Sequence, residues 1–284
     1  MAGECLIIGS TGFLGSQLAV SLSNAGISFD CLDRSPSQHP NITSSQAFHL
    51  PDLESLSNHY SAVFLTAAMI PDDKDRFSPE LVEANIDLPR RVASQFPNSV
   101  LTFASSASVY GIPAENPIVE SSPHNKLSAY GYSKLAGETS LMHHSNCRIL
   151  RFSSLYGEGM RPDTFLPSIV ADANQLNSIN LLGNGSRQQN YLHVKDASNM
   201  MLSAAQNDCT GVFNAVSDRS HSNLEVARII CELLPETKIE FSGKDDSPSF
   251  LYDNSKWSSH IPYQPSISLA SGLSAYIQNA HQSD

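Results

Sequence analysis

The stretch Cys5-Leu6-Ile7-Ile8-Gly9-Ser10-Thr11-Gly12-Phe13-Leu14-Gly15 decides the fold of this chain, because an apolar strand runs into a glycine-rich turn and then a helix. The three glycines let backbone N–H groups approach a phosphate at the helix N-terminus, where the helix dipole favours negative charge. Their spacing is Gly-x-x-Gly-x-x-Gly, not the Gly-x-Gly-x-x-Gly of many dehydrogenases. The stretch predicts a dinucleotide-binding turn, with a turn that merely requires glycine as the alternative.

Short apolar runs alternate with longer helical patterns through the first half of the chain. Strands are predicted at residues 5–8, 29–32, 62–66, 100–104 and 148–152, and helices at 14–24, near 53–58, at 81–95 and at 130–143. Such alternation is typical of parallel β-α-β units with helices on both faces of the sheet. We therefore expect an α/β fold with a Rossmann-like doubly wound parallel sheet, which binds ligands at the carboxyl ends of its strands.

Beyond about residue 157 prolines and polar loops become more frequent, and helices are predicted at 164–175, 196–207, 223–234 and 268–279. We interpret residues 1–157 as an NAD(P)-binding Rossmann domain. Residues 158–284 are interpreted mainly as a smaller C-terminal substrate-binding lobe, with some segments returning to the Rossmann sheet.

Composition argues against several classes of partner. The 284 residues include 28 Asp and Glu against 17 Lys and Arg, and a net charge of −11 repels nucleic acid and anionic lipid. The five cysteines form no Cys-x-x-Cys pair, so neither a disulfide framework nor a metal site is expected. No apolar run approaches the ~20 residues of a membrane span, and no secretory leader precedes the first strand. A cytoplasmic protein without nucleic-acid or membrane partners is expected.

Asp33 ends the second predicted strand, where a carboxylate binds the adenosine ribose hydroxyls of NAD and repels the phosphate of NADP. Arg34 could bind that phosphate, so NADP is the alternative cofactor. Asp52 and Leu53 are candidate adenine contacts, although an acid at a helix N-terminus is the more ordinary explanation of Asp52. The remaining predicted cofactor contacts before residue 70 are Gly9, Thr11, Gly12, Phe13, Leu14, Gly15, Ala67 and Ala68.

The segment Tyr130-Gly131-Tyr132-Ser133-Lys134 places Tyr130 and Lys134 on one face of a helix. A phenol with a pKa near ~10 is a poor base at neutral pH, and a neighbouring ammonium favours the phenolate. Such a tyrosine can exchange a proton with a hydroxyl or carbonyl while a nicotinamide exchanges the hydride. Ser106, at the end of a preceding strand, is predicted to hydrogen-bond the reacting oxygen.

Taken together, these segments resemble the extended short-chain dehydrogenase/reductases, a family of nucleotide-sugar epimerases, dehydratases and reductases. The resemblance runs nearly end to end through the glycine turn, Ala67-Ala68, Asn85, Ser105 to Gly111, Tyr130 to Lys134, Arg151 to Gly157, Gly183 to Gly185, His193 to Asp196 and Asp253 to Lys256. It implies that Ser106, Tyr130 and Lys134 are catalytic and that Lys134 also binds the nicotinamide ribose.

The same resemblance implies that Phe152 and Leu155 border the nicotinamide. It also places Asn85 near the cofactor, although an asparagine in so apolar a helix can simply satisfy a buried backbone group.

Departures from the family pattern concern the substrate. Ser154 stands where the family has asparagine, and Gln189 stands where many relatives place an arginine on the nucleotide diphosphate. Arg161, Arg187 and Lys244 are candidate diphosphate contacts, and each can instead be a solvated surface charge. Ala107 and Ser108 replace the Asp-Glu pair of the dehydratases, so elimination of water lacks its acid and base.

We therefore expect an NAD-dependent enzyme that epimerises a nucleotide-activated sugar at C4 through a 4-keto intermediate. One alternative is a 4-keto-6-deoxy nucleotide-sugar reductase, which uses the same catalytic residues but consumes NADH or NADPH. Another is a non-catalytic Rossmann protein that senses dinucleotides. By analogy with relatives, a homodimer is expected to form through the helices predicted at 81–95 and 130–143.

Overall fold

A parallel sheet forms the centre of the computed structural model, which describes residues 4–34, 47–73 and 75–282. The described strands are β1 (Cys5–Ile8), β2 (Phe29–Asp33), β3 (Ala47–His49), β4 (Ala62–Leu65), β5 (Val100–Ser106), β6 (Cys147–Phe152), β7 (Ser154–Tyr156), β8 (Ser178–Leu182), β9 (Gln188–His193), β10 (Gly211–Ala215), β11 (Ser220–Ser222) and β12 (Lys238–Ser242). Seven of these form the sheet in the order β3-β2-β1-β4-β5-β6-β10, and every pair is parallel. This doubly wound order confirms the predicted Rossmann-like α/β fold.

Helices cover both faces of the sheet. They are α1 (Phe13–Asn24), α2 (Pro79–Val82), α3 (Leu88–Gln95), α4 (Ala129–Leu141), α5 (Phe165–Leu176), α6 (Val194–Ala205), α7 (Asn223–Leu233), α8 (Ser255–His260) and α9 (Leu269–Gln282). Ile7 of β1 packs in a core with α1 and α6, whereas Ile8 packs in a second core with α3 and α4. Successive residues of β1 thus pack on opposite faces of the sheet. Because both faces are buried, the strand must be apolar at every position, as the sequence shows.

The second half of the chain contributes to two layers. Strand β10 and helix α6 belong to the main sheet and one of its faces. Helices α5, α7 and α9 enclose a third apolar core together with the β12-β8 pair and the β11-β9-β7 sheet. The division of the chain at residue 157 stays a prediction. In the described part of the chain, no helix is long and apolar enough to cross a bilayer.

Two predicted helices differ from the structure. The one near residues 53–58 is a short 3₁₀ helix over Leu50–Ser55, which begins at a proline-containing turn where Asp52 accepts a hydrogen bond from His49 N. The helix predicted at 81–95 begins at Pro79 and widens into a π turn over Glu83–Asp87. Pro89, the second residue of α3, has no N–H to donate, so the regular α-helical bonding is interrupted there.

Candidate active site

A cleft of about 1460 Å³ lies at the carboxyl edge of the parallel sheet. Gly9 follows β1, Asp33 ends β2, Thr66 follows β4, Ser106 ends β5 and Phe152 ends β6, and all of them line this cleft. Because parallel strands end at one edge, residues far apart in sequence meet there.

The glycine turn between β1 and α1 forms one wall of the cleft. Gly9 has φ +94°, a conformation that favours glycine, and a Cβ there would lie 2.5 Å from Ala67 N. Gly12 is the N-cap of α1 with no side-chain cap, so the first N–H groups of the helix are available to a ligand. Gly15 does not line the cleft. Its lack of a side chain lets α1 lie close to β1, because a Cβ on Gly15 would clash with the carbonyl of Gly9 and lie 2.7 Å from Thr66 Oγ1. The turn therefore has the shape that a bound phosphate requires.

Asp33 is buried beneath this turn and holds it in place. Its Oδ2 accepts a hydrogen bond from Ser10 Oγ at 2.5 Å, and its Oδ1 accepts from both Thr11 N and Thr11 Oγ1 at 3.2 Å. A carboxylate has about four acceptor positions, so it can still accept a ribose hydroxyl. Arg34 is exposed at the same wall of the cleft.

Ser106 and Tyr130 meet inside the cleft. Ser106 Oγ accepts from Ser108 N at 3.1 Å and donates to Ser108 Oγ at 3.1 Å, and both Ser106 and Tyr130 line the cleft. Tyr130 lies in the first turn of α4, whose N-cap Ser128 accepts from Gly131 N. Burial raises the pKa of Tyr130 to about 12, and among the described residues the group that opposes this rise is the Ser106 hydroxyl.

Lys134 lies behind the wall of the cleft, one helical turn after Tyr130. Its Nζ donates a hydrogen bond of 2.7 Å to the carbonyl of Ala104, a residue that lines the cleft. The same nitrogen lies 4.1 Å from the centre of the Phe103 ring. Burial lowers the pKa of Lys134 to about 7, and the charge of Glu138 opposes this. The sequence predicted an ammonium that lowers the pKa of the phenol. Lys134 Nζ binds a backbone carbonyl and burial disfavours its charged form, so the effect of Lys134 on the phenol stays a prediction.

Most of the predicted site residues line the cleft. They are Gly9, Thr11, Gly12, Phe13, Leu14, Asp33, Arg34, Ala67, Ala68, Ser106, Tyr130, Phe152, Ser154, Leu155, Arg161, Arg187 and Gln189. Six predicted residues lie outside its wall: Gly15, Asp52, Leu53, Asn85, Lys134 and Lys244.

Three of the outlying residues have clear structural roles. Leu53 is fully buried in the core, and Leu50 and Pro51 of the same 3₁₀ helix line the cleft in its place. Asn85 is also fully buried and binds both backbone groups of Met69 through its amide, which is the alternative that the apolar helix suggested. Lys244 is exposed and pairs with Asp246 at 2.6 Å.

The predicted cations differ in how free they are to bind an anion. Arg161 pairs with Asp163 at 2.7 Å and with Asp72 at 3.3 Å. Arg187 lines the cleft, and its Nε donates to the carbonyl of Pro248 at 3.3 Å. Among the described residues, no ion pair within 4.0 Å occupies Arg187. Arg187 is thus the better placed of the two for an anionic ligand.

Several cleft residues were missed by sequence reasoning. Ser108, which bonds the Ser106 hydroxyl, could have been found because it lies within the same serine-rich segment. Phe250 and Tyr252 line the cleft from an irregular segment that precedes α8, and nothing in their local pattern marks them.

The chain is similar to one protein family and to several known proteins. The model of the NAD dependent epimerase/dehydratase family matches residues 5–215. UDP-N-acetyl-alpha-D-glucosaminuronate decarboxylase of Bacillus cytotoxicus is 24% identical, and the match covers 98% of each chain. UDP-glucuronic acid decarboxylase 1 of Arabidopsis thaliana is 28% identical over 68% of this chain, a match that spans only 47% of that protein. The solved structure of MoeE5 with UDP-glucuronic acid and NAD is 25% identical with a TM-score of 0.82, over 99% of this chain and 100% of the other.

Proposed function

Since the chain belongs to the NAD-dependent epimerase/dehydratase family, we propose that it is an NAD-dependent enzyme that epimerises a nucleotide-activated sugar at C4. The observation that carries the proposal is that Ser106 and Tyr130 line the same cleft as the glycine turn at Gly9 and Gly12, whose N–H groups can bind a phosphate. The sequence alternatives, a 4-keto-sugar reductase and a dinucleotide sensor, become outcomes of the experiment below.

The residues of the cleft fit NAD. The backbone at Gly9 and Gly12 with the N-terminus of α1 would hold the pyrophosphate, Asp33 the adenosine ribose, and Phe152 and Leu155 the nicotinamide. A buried carboxylate at Asp33 disfavours the additional phosphate of NADP. MoeE5 was solved in complex with NAD, which supports this choice. When bound, the nicotinamide accepts a hydride from the sugar and returns it.

The chain's own residues handle the proton and the position of the sugar. Tyr130 takes the proton of the reacting hydroxyl, and Ser106 donates a hydrogen bond that orients the same oxygen. Lys134 binds the nicotinamide ribose, as the family resemblance implies; its Nζ already lies against the cleft-lining Ala104. A positive charge held there favours the phenolate of Tyr130 during turnover.

The environment of Ser106 favours epimerisation over elimination of water. An elimination needs a general acid and a general base close to the sugar ring. The residues that follow Ser106 are Ala107, which has no polar side chain, and Ser108, whose hydroxyl already hydrogen-bonds Ser106. A serine hydroxyl is a poor acid at neutral pH, so this segment supports no dehydratase chemistry.

Arg187 is proposed to bind the diphosphate of the substrate. Gln189 stands at the position of the family arginine, and Arg187 precedes it by two residues, directly before β9, so an extended backbone would place both on one face. Gln189 Nε2 donates to the Tyr191 hydroxyl at 3.1 Å, so its amide is engaged within the protein. Ser154 and Arg161 complete the proposed substrate contacts in the cleft.

Purified protein should be incubated with UDP-glucose, UDP-glucuronic acid and UDP-N-acetylglucosamine, and the sugar nucleotides then separated by chromatography. The expected product has the mass of its substrate and the 4-epimeric configuration, and NAD is released when the protein is denatured. No net change in reduced nicotinamide is expected. Stoichiometric consumption of NADH with a 4-keto sugar would identify the reductase, and loss of water or carbon dioxide would identify a dehydratase or decarboxylase. Nucleotide binding without turnover of any substrate would favour the sensor.

The Tyr130→Phe variant tests the role of the phenol. Turnover is expected to fall by about 10²-fold to 10⁴-fold, while NAD remains bound. Tyr132→Phe is the matched control, because Tyr132 lies on the same helix with 52% of its surface exposed. A near-normal rate in Tyr130→Phe would remove the assignment.

The homodimer stays a prediction. Two exposed large apolar side chains, Tyr132 on helix α4 and Met142 directly after it, would be covered in a helix-packed dimer. A monomeric mass in light scattering at micromolar concentration would contradict it.

A further inference from the structure

A second group of polar side chains lies at the amino edge of the sheet, opposite the cleft. Glu4 precedes β1, Asp30 is the second residue of β2, and His59 precedes β4. One potential ligand atom from each lies within 4.8 Å of the other two. The three residues, defined here as the amino-edge cluster, line a surface pocket of about 380 Å³.

Asp30 is the unusual member of the amino-edge cluster, because its side chain is polar and only 3% exposed. Its Oδ2 accepts a hydrogen bond from the Tyr60 hydroxyl at 2.7 Å, but its Oδ1 is buried without a hydrogen-bond partner. The ion pairs found among the described residues do not include Asp30. Buried carboxylates are normally paired with a cation or coordinate a metal, so this oxygen indicates a missing positive partner.

The other two members are arranged as ligands that an ion can reach. His59 Nε2 lies 2.9 Å from Glu4 Oε2, and both side chains are about half exposed. The second ring nitrogen of His59, Nδ1, hydrogen-bonds the Ser57 hydroxyl. Metal-binding histidines usually have such a partner, since it fixes the orientation of the ring.

We propose that Glu4, Asp30 and His59 bind one divalent transition-metal ion of the zinc type, with water completing its coordination. Carboxylate oxygens and imidazole nitrogens bind zinc at about 2.0–2.2 Å, so ligand atoms around one ion lie about 3–4 Å apart. The present spacing requires only a small approach of the exposed side chains. An imidazole ligand favours such an ion over magnesium or calcium, which prefer oxygen.

The proposed ion would connect the amino ends of three adjacent strands, β2, β1 and β4. Because the cleft lies at the carboxyl ends of these strands, the ion would stabilise the fold and take no part in the chemistry. The proposal is therefore independent of the proposed function.

Zinc binding to the untagged, full-length chain should be measured by competition with a chromophoric chelator. One Zn²⁺ per chain is expected, with at least a ~10-fold loss of affinity in His59→Gln and in Asp30→Asn. Saturating zinc should raise the Tm of the wild type by about 5 °C and leave that of His59→Gln unchanged.

His143→Gln is the matched control, because His143 is an exposed histidine outside the amino-edge cluster, two residues after α4. Asp30 is buried and its variant can lose the fold, so the exposed His59 carries the test. Binding of less than one equivalent to the wild type, or equal affinities in His59→Gln and His143→Gln, would overturn the proposal.

Discussion

Arg151 binds both carboxylate oxygens of Glu138, with Nη2 2.7 Å from Oε2 and Nε 3.0 Å from Oε1. Their side chains are 5% and 4% exposed, so the ion pair is buried between β6 and α4. Ser105 Oγ donates to the same carboxylate from β5. This network fastens the helix that carries Tyr130 and Lys134 to two neighbouring strands of the sheet.

Arg151→Met should destabilise the protein strongly. Removal of the guanidinium leaves the Glu138 carboxylate buried without its ion-pair partner, which typically costs about 3–5 kcal/mol in the free energy of unfolding. The double variant Arg151→Met with Glu138→Leu should be less destabilised than Arg151→Met alone, because no buried carboxylate is left without its guanidinium. Urea denaturation of each variant measures both effects.

The exposed pair of Arg90 and Asp87 provides a control for Arg151→Met. Its atoms lie 3.9 Å apart and its side chains are 63% and 48% exposed. Arg90→Met should cost less than about 1 kcal/mol. If Arg90→Met and Arg151→Met lose similar amounts of free energy of unfolding, burial of the Arg151–Glu138 pair adds nothing to the cost of breaking it.

Lys134 gives the nucleotide-free protein a pH-dependent stability. Burial lowers its pKa from 10.5 to about 7, so between these values the unfolded chain binds more protons at this residue than the folded protein. The free energy of unfolding of the wild type should therefore rise, relative to Lys134→Met, as the pH increases from about 7 toward about 10. Below about pH 7 the folded protein carries the full cost of a buried ammonium. Urea denaturation of both proteins across this pH range measures their free energies of unfolding. If the difference between the two free energies does not change with pH, the prediction is wrong.

Gly15→Ala tests the approach of α1 to β1. The added Cβ would lie 2.7 Å from Thr66 Oγ1 and against the carbonyl of Gly9, so the helix must shift. We expect a loss of about 1–3 kcal/mol in stability together with weaker NAD binding, measured by denaturation and calorimetry.

Gly26→Ala is the comparison for Gly15→Ala. Gly26 follows the other end of α1, has φ +66° and no atom within 4 Å of an added Cβ, so only backbone strain of about 1 kcal/mol is expected. Its NAD affinity should equal that of the wild type. Unchanged NAD affinity in Gly15→Ala would show that the position of α1 is not critical.

The central strands could be predicted from sequence because buried parallel strands are continuous apolar runs, as Leu6-Ile7-Ile8 shows. Strand β9 was not predicted, since it begins Gln188-Gln189-Asn190 and resembles a loop. In the structure Asn190 is buried and binds Ser153 and Ser217. Its polar groups are satisfied by residues distant in sequence, which no local pattern reveals.

In the candidate site, too, some residues could be predicted from local sequence and others could not. Local motifs predicted the glycine turn and the Ser106 and Tyr130 pair, because a few neighbouring residues determine those geometries. Asp52 and Leu53, the predicted adenine contacts, lie outside the cleft wall, since the 3₁₀ helix turns Leu53 into the core and exposes Leu50 and Pro51 to the cleft. The amino-edge cluster could not be predicted, because its ligands meet only when three strands align.

Arg187→Ala should weaken binding of the nucleotide diphosphate. The guanidinium lines the cleft, and loss of a charged hydrogen bond typically costs about 1.5–3 kcal/mol, so the Kd for UDP should rise about 10-fold to 100-fold in calorimetry. Lys244→Ala is the charge-matched control, because its ammonium is 80% exposed and pairs with Asp246 outside the cleft. The Kd of that variant should stay within about twofold of the wild type. If both variants bind UDP like the wild type, neither cation holds the diphosphate. A loss confined to Lys244→Ala would instead restore the contact that the family pattern suggested.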